Sequence, residues 1–142
     1  MPVVPAAAHI HSARSDDGTW SLARIAREFA TRGCRAVLLS EHCRGLSAAD
    51  WEAYQTACAE ASTPDLLLVP GIEYNDADNV VHVTVWGDVP FFGDSPDIGE
   101  LLPKVVAAGG VSVLAHPWRR DAFRRIQPEW LQHFRAVTTS WA

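Results

Sequence analysis

Short apolar runs along this chain alternate with stretches in which apolar residues recur every three or four positions, the two periods that separate strands from helices. Residues 3–10 are short and apolar and predict a strand ending in His9-Ile10-His11. A polar turn over 12–19 follows. Leu22, Ile25, Ala26 and Phe29 then recur at helical spacing, with Thr19 in the N-cap position and Gly33 as the stop. Residues 36–40 predict a second strand tipped by Glu41-His42. Ser47-Ala48-Ala49-Asp50 fits a capping box, opening a helix whose Trp51, Tyr54, Cys58 and Ala61 share one stripe.

Pro64 closes that region, and residues 66–69 predict a third strand running into Pro70-Gly71-Ile72-Glu73. Residues 80–86 alternate, which places Val81, Val83 and Val85 on one side of a fourth strand and His82, Thr84 and Trp86 on the other. Pro96 stands ahead of a third helix carrying Ile98, Leu101, Leu102 and Val105, which Gly109-Gly110 ends. Val111–Ala115 predicts a fifth strand with His116-Pro117 at its tip. Short helical pieces are expected around 122–126 and 129–134, and a sixth strand over 135–139.

Alternating strands and helices, with buried strands that mostly do not alternate, predict an α/β fold with a largely parallel sheet. Ligands of such folds gather at the C-terminal ends of the strands. His9, His11, His42, Glu73 and His116 all fall at or just past predicted strand ends.

The length of 142 residues suits one core-bearing domain, 1–142, and six Trp with five Phe exclude a disordered chain. A net charge of −5 offers no basic field for duplex nucleic acid, although a metal could supply local positive charge for phosphate chemistry. No run approaches the length of a membrane span, so a cytoplasmic protein without membrane partners is expected. Cys34, Cys43 and Cys58 are an odd set without a C-x-x-C pair, read as core residues rather than as disulfides or a zinc knuckle.

His9 and His11 stand two apart on an extended segment, so both imidazoles are expected to leave one face and grip one ion. Histidines satisfied within a core would instead scatter over strand middles and helix faces. With His42, Glu73, His82, His116 and the rim carboxylate Asp17, the donors exceed what one four-coordinate zinc needs. Glu73 is the natural bridge between ions, because a carboxylate has two oxygens to divide. Clustered divalent ions make hydroxide from water near neutral pH and stabilise the attacking and leaving oxygens of a phosphoryl displacement.

Five short motifs in order carry a resemblance: His9-Ile10-His11-Ser12 with Ser15-Asp16-Asp17-Gly18, Ser40-Glu41-His42, Pro70-Gly71-Ile72-Glu73, His82 before its valine-rich strand, and Gly109-Gly110 running to Ala115-His116-Pro117. Together, over residues 9 to about 130, they resemble the PHP (polymerase and histidinol phosphatase) domain family. The resemblance implies a distorted seven-stranded β/α barrel with up to three divalent ions, zinc, manganese or iron, and a phosphoesterase activity. By motif, His9 and His11 would hold the first ion and Glu73 would bridge to the second. His82 and His116 would complete the second, while Asp17 and His42 would hold the third. Asp17 is preferred to Asp16 for its place beside Gly18, and Glu41 stands where the family more often has Asp.

The family closes with a strand bearing Glu and Asn, then an Asp-x-His segment that ligates the first and third ions. Val137-Thr138-Thr139-Ser140-Trp141-Ala142 contains neither, so the resemblance implies an incomplete, C-terminally truncated PHP-like barrel with about the first five to six strands.

Arg119, close to His116, is the expected phosphate contact, since guanidinium matches phosphate oxygens bidentately. Arg120, Arg124 and Arg125 are as readily a solvated face, and Trp118 either a pocket wall or a packing residue. The expectation is a metal-dependent phosphoesterase in which Glu73 and Arg119 serve catalysis on a small phosphorylated substrate or a short single-stranded nucleic-acid end. The alternatives are a catalytically inactive truncated remnant that binds metal weakly or not at all, and a metallohydrolase cleaving C–N or C–O bonds.

Overall fold

A computed structural model describes residues 3–138. The chain runs β1 (Ala6–Ile10), α1 (Leu22–Thr31), β2 (Ala36–Leu39), β3 (Glu41–His42), α2 (Ala48–Ala61), β4 (Leu67–Val69), β5 (Gly71–Asn75), β6 (His82–Trp86), α3 (Ile98–Ala107), β7 (Val111–Ala115), tight helical turns over Arg119–Arg125 and Pro128–His133, and β8 (Phe134–Val137). It is a mixed α/β fold whose backbone divides into two compact units, Met1–His42 with Ala49–Ile72, and Cys43–Ala48 with Glu73–Ala142.

In the first unit β1, β2 and β4 pair in parallel in that order. Strands so short and apolar, joined through helices, can be parallel because each crossover returns the chain to the same end of the sheet. β1 begins at Ala6 rather than at residue 3, since Val3 and Val4 are exposed and Pro5 has no N–H for a ladder. α1 is capped by Ser21 and not by Thr19: Ser21 is extended and adjoins the first helical residue, and its hydroxyl accepts from the Arg24 N–H at 3.2 Å. Ile25 and Ala26 of α1, Trp51, Tyr54 and Cys58 of α2, and Val37, Leu39 and Leu68 of the strands are buried.

β5 opens two residues ahead of the second unit and is buried throughout. Beyond it the order is β5-β6-β7-β8. β7 and β8 are parallel, but β6 and β7 are antiparallel, from His82 opposite Ala115 to Trp86 opposite Val111, which departs from the largely parallel expectation. A long connection containing α3 leaves the direction of pairing unconstrained by the local sequence. The antiparallel register also brings His82, which starts its strand, beside the end of β7 where His116 stands. All of β6 is buried, so its alternation separates two covered faces rather than core from solvent. The last predicted strand is observed as Phe134–Val137; Thr139 and the tail after it lie outside the described residues. Among the described residues no helix is long and apolar enough to cross a membrane.

Candidate functional site

In the first unit, His9 and His11 close β1 where its register slips, Ala8 facing Leu38 and Ile10 facing Leu39. His9 is the extra residue, held at φ +60°, and such a bulge re-aims side chains. Simple strand alternation therefore does not deliver the pair. Their ring centroids nevertheless stand 5.2 Å apart, and those of His11 and His42 4.6 Å apart.

Glu41, which precedes His42 in β3, is only 2% exposed. Its Oε1 accepts from the Ser12 N–H at 3.1 Å and from the Tyr54 hydroxyl at 2.9 Å, while Oε2 accepts from the Ser15 hydroxyl at 2.5 Å. A buried carboxylate without such donors would be strongly destabilising. Burial, and after it the charge of Glu41, pushes the Tyr54 phenol far above its ordinary range, so Tyr54 remains a donor.

The Ser15-Asp16-Asp17-Gly18 turn folds back on Ser12: the Ser15 N–H donates to the Ser12 carbonyl at 3.0 Å, and the Gly18 N–H to that of Ser15 at 3.2 Å. A Cβ on Gly18 would lie 1.8 Å from the Ser12 carbonyl oxygen, so the turn closes only with glycine there. Closed, it sets Asp16 Oδ1 2.6 Å from His42 Nδ1. Asp17 Oδ1 is 3.8 Å from His11 Nδ1 and 3.9 Å from His42 Nδ1. One donor atom each from Asp16, Asp17 and His42 lie within 4.8 Å of one another. An open cavity of about 300 Å³ adjoins His11 and Asp17 and is walled by Ile10, Trp20, Ile25 and Phe29.

In the second unit, Glu73 is 2% exposed, and its Oε1 lies 2.9 Å from His82 Nδ1 and 2.9 Å from His116 Nε2. His116 turns off the end of β7 at φ +27°, and its N–H donates to Thr138 Oγ1 at 3.2 Å. A guanidinium nitrogen of Arg119 stands 3.0 Å from His82 Nε2. Guanidinium only donates, so Nε2 is the acceptor and the His82 proton sits on Nδ1, aimed at Glu73. His82 thus links Arg119 to Glu73, and in this arrangement both its nitrogens are engaged.

Arg120 and Arg125 hold the turn between β5 and β6, while Arg124 pairs with Asp121 at 4.0 Å. Arg125 pairs with Asp78 at 2.7 Å and Asp76 at 3.4 Å, and Arg120 donates to the Asn79 carbonyl at 3.4 Å. Trp118 is 54% exposed and tilts against Phe123.

Imidazole nitrogens with carboxylate oxygens are the donors that zinc, manganese and iron accept, and each unit carries both kinds. The residues therefore fit a divalent cation.

No family model and no curated protein matches the sequence. Solved structures do match it in fold. A protein from Bifidobacterium adolescentis assigned as a metal-dependent phosphoesterase superposes with a TM-score of 0.62 at 18% identity, covering 96% of this chain and 77% of that one. An amidohydrolase from Chromobacterium violaceum, solved with sulfate and without metal, gives 0.61 at 14% identity, covering 94% and 76%. The chain shares their fold.

Glu41, Ser15 and Asp16 stood within the motifs and Tyr54 on a helical stripe, but the sequence assigned none of the four a place in the site. The available signal was a carboxylate at the end of an apolar strand, where an ionisable group needs partners.

Proposed function

We propose that this chain is a PHP-type metal-dependent phosphoesterase, or the metal-binding part of one, acting on a small phosphoester. The observation that carries the reading is the buried Glu73 carboxylate with one oxygen 2.9 Å from an imidazole nitrogen of both His82 and His116. Burying an ionisable group among titratable neighbours costs stability, and such groupings mark functional sites. The fold shared with a protein assigned as a metal-dependent phosphoesterase supports the same conclusion.

His9, His11, Asp17 and His42 in the first unit, and Glu73, His82 and His116 in the second, are the proposed holders of zinc, manganese or iron. Bound divalent ions would supply Lewis acidity and make water nucleophilic near neutral pH. Glu73 would orient through its two oxygens. Arg119, with four further N–H donors beside the one on His82, would grip a phosphate oxygen. The distorted β/α barrel of the PHP family is the architecture proposed for the whole. The free cysteines Cys34, Cys43 and Cys58 fit a reducing compartment such as the cytoplasm.

Elemental analysis of the purified protein, with a variant carrying His9→Ala and His11→Ala, tests the reading together with 4-nitrophenyl phosphate assays. Two or more divalent ions per chain, reduced in the variant, and phosphate release abolished by a chelator are expected. Metal-free protein without activity after reconstitution would overturn it. The likeness to an amidohydrolase supports a second reading, C–N hydrolysis, and turnover of amides in place of phosphoesters would select it.

A further inference from the structure

We propose that Ser15, with its hydroxyl proton held by Glu41, is a positioning residue that fixes the tautomer of His11 so that Nε2 is the nitrogen presented to a cation. The inference rests on the metal-binding reading above and specifies how one of its ligands is prepared.

The argument is an inventory of protons at one oxygen. A serine hydroxyl has one hydrogen and two lone pairs. Ser15 Oγ lies 2.5 Å from Glu41 Oε2, 3.0 Å from the His42 backbone nitrogen and 3.4 Å from His11 Nδ1. The short contact to the carboxylate takes the hydrogen. The His42 N–H can only donate, so it takes one lone pair. What remains for His11 is the second lone pair, and only a protonated Nδ1 can use it. Asp17 Oδ1, 3.8 Å from the same Nδ1, reinforces the preference, because a carboxylate nearby also favours a proton there.

A neutral imidazole with its hydrogen on Nδ1 carries its lone pair on Nε2, the atom a metal needs. His42 is prepared likewise, with Asp16 Oδ1 2.6 Å from its Nδ1. Glu41 itself is fixed by Ser12 and Tyr54, and Ser15 is only 6% exposed, so water does not compete easily for the hydroxyl. The Glu41 carboxylate is thus spoken for by its donors, and its effect reaches the cation through Ser15 and His11.

Long-range proton–nitrogen correlation spectra of ¹⁵N-labelled protein, with His11 assigned by its loss in His11→Asn, read the tautomer directly. In metal-free protein at a pH where the ring is neutral, a single Nδ1–H form is expected. Zinc should perturb Nε2 and leave the Nδ1 proton in place. Ser15→Ala should give a mixture of tautomers and a roughly 10–100-fold weaker zinc affinity, the usual effect of losing a group that orients a metal ligand. Because Ser15 is also a donor to the buried Glu41, the melting midpoint of Ser15→Ala should fall as that of Tyr54→Phe does, so the spectra are recorded well below it. Tyr54→Phe, equally destabilised but with Ser15 intact, should keep the single Nδ1–H form. Glu41→Gln, whose amide can turn a donor toward Ser15, should mix the tautomers as well.

An Nε2–H form in the native protein, zinc on Nδ1, or a Ser15→Ala spectrum like the native one would each overturn the proposal. Failure of the native protein to take up zinc would sink the metal-binding reading instead. The metal-free spectrum would still report the tautomer.

Discussion

The Tyr54 hydroxyl donates to Glu41 Oε1 at 2.9 Å, and neither side chain is more than 3% exposed. Tyr54→Phe keeps the ring and removes only this donor. Hydrogen bonds to charged groups contribute about 1.5–3 kcal/mol, so the variant should lose an amount in that range. Urea unfolding should show a lower midpoint with an unchanged slope, the signature of lost stability without altered compactness.

Alkaline pH should unfold the protein through the same residue. The unfolded Tyr54 phenol titrates near 10, whereas the folded one is held protonated well above that by burial and by Glu41. Above pH 10 the unfolded state therefore binds fewer protons, and stability should fall as pH rises. Cys58, whose thiol burial pushes up to about 11, adds to the decline from about pH 9. Denaturant titrations between pH 8 and 11 should show a shallower loss for Tyr54→Phe than for the native chain.

Two glycines separate steric contact from backbone strain. At Gly18 a Cβ would meet the Ser12 carbonyl oxygen at 1.8 Å, and backbone cannot step aside as a flexible side chain can. At Gly33, φ is +83° but nothing lies within 4 Å, so alanine there costs only the left-handed conformation, about 1–2 kcal/mol. Gly18→Ala should be the more damaging of the two by thermal melting. It should also weaken zinc binding, because it opens the turn that carries Asp16 and Asp17.

In the turn between β5 and β6, Asp76 matters more than its exposed partner. Asp76 Oδ1 accepts from the Val80 N–H at 2.6 Å and the Val81 N–H at 3.1 Å, and loss of such charge-assisted bonds costs about 1.5–3 kcal/mol. Arg125 makes surface ion pairs, which salt screens. Asp76→Ala should lower the melting midpoint at any ionic strength. Arg125→Ala should have a smaller effect that fades in high salt.

Much of the element order was legible because burial imposes periodicity: Ile98, Leu101, Leu102 and Val105 read as one helical face and are all buried. The direction of β6 against β7 was not legible, since no residue near either strand encodes it. Nor was the role of Glu41, whose partners stand 29, 26 and 13 residues away along the chain. The histidines at strand ends were visible as candidates. Their proton positions depend on Ser15, Asp16 and Arg119, and those contacts exist only once the backbone has folded.

The bulge at His9 acts as a break in phase. Along β1 the parity of inward and outward positions is set by pairing with β2 as far as Ala8, and the extra residue resets that count before His11. The strand is thereby divided into a segment that answers to the sheet and a tip that answers to the chemistry. Substitutions at Ala6 to Ala8 can change how the sheet packs without re-aiming His11. A one-residue deletion at His9 would do the reverse, leaving Ile10 opposite Leu39 and the sheet in register while removing one imidazole and the backbone turn that aims the tip.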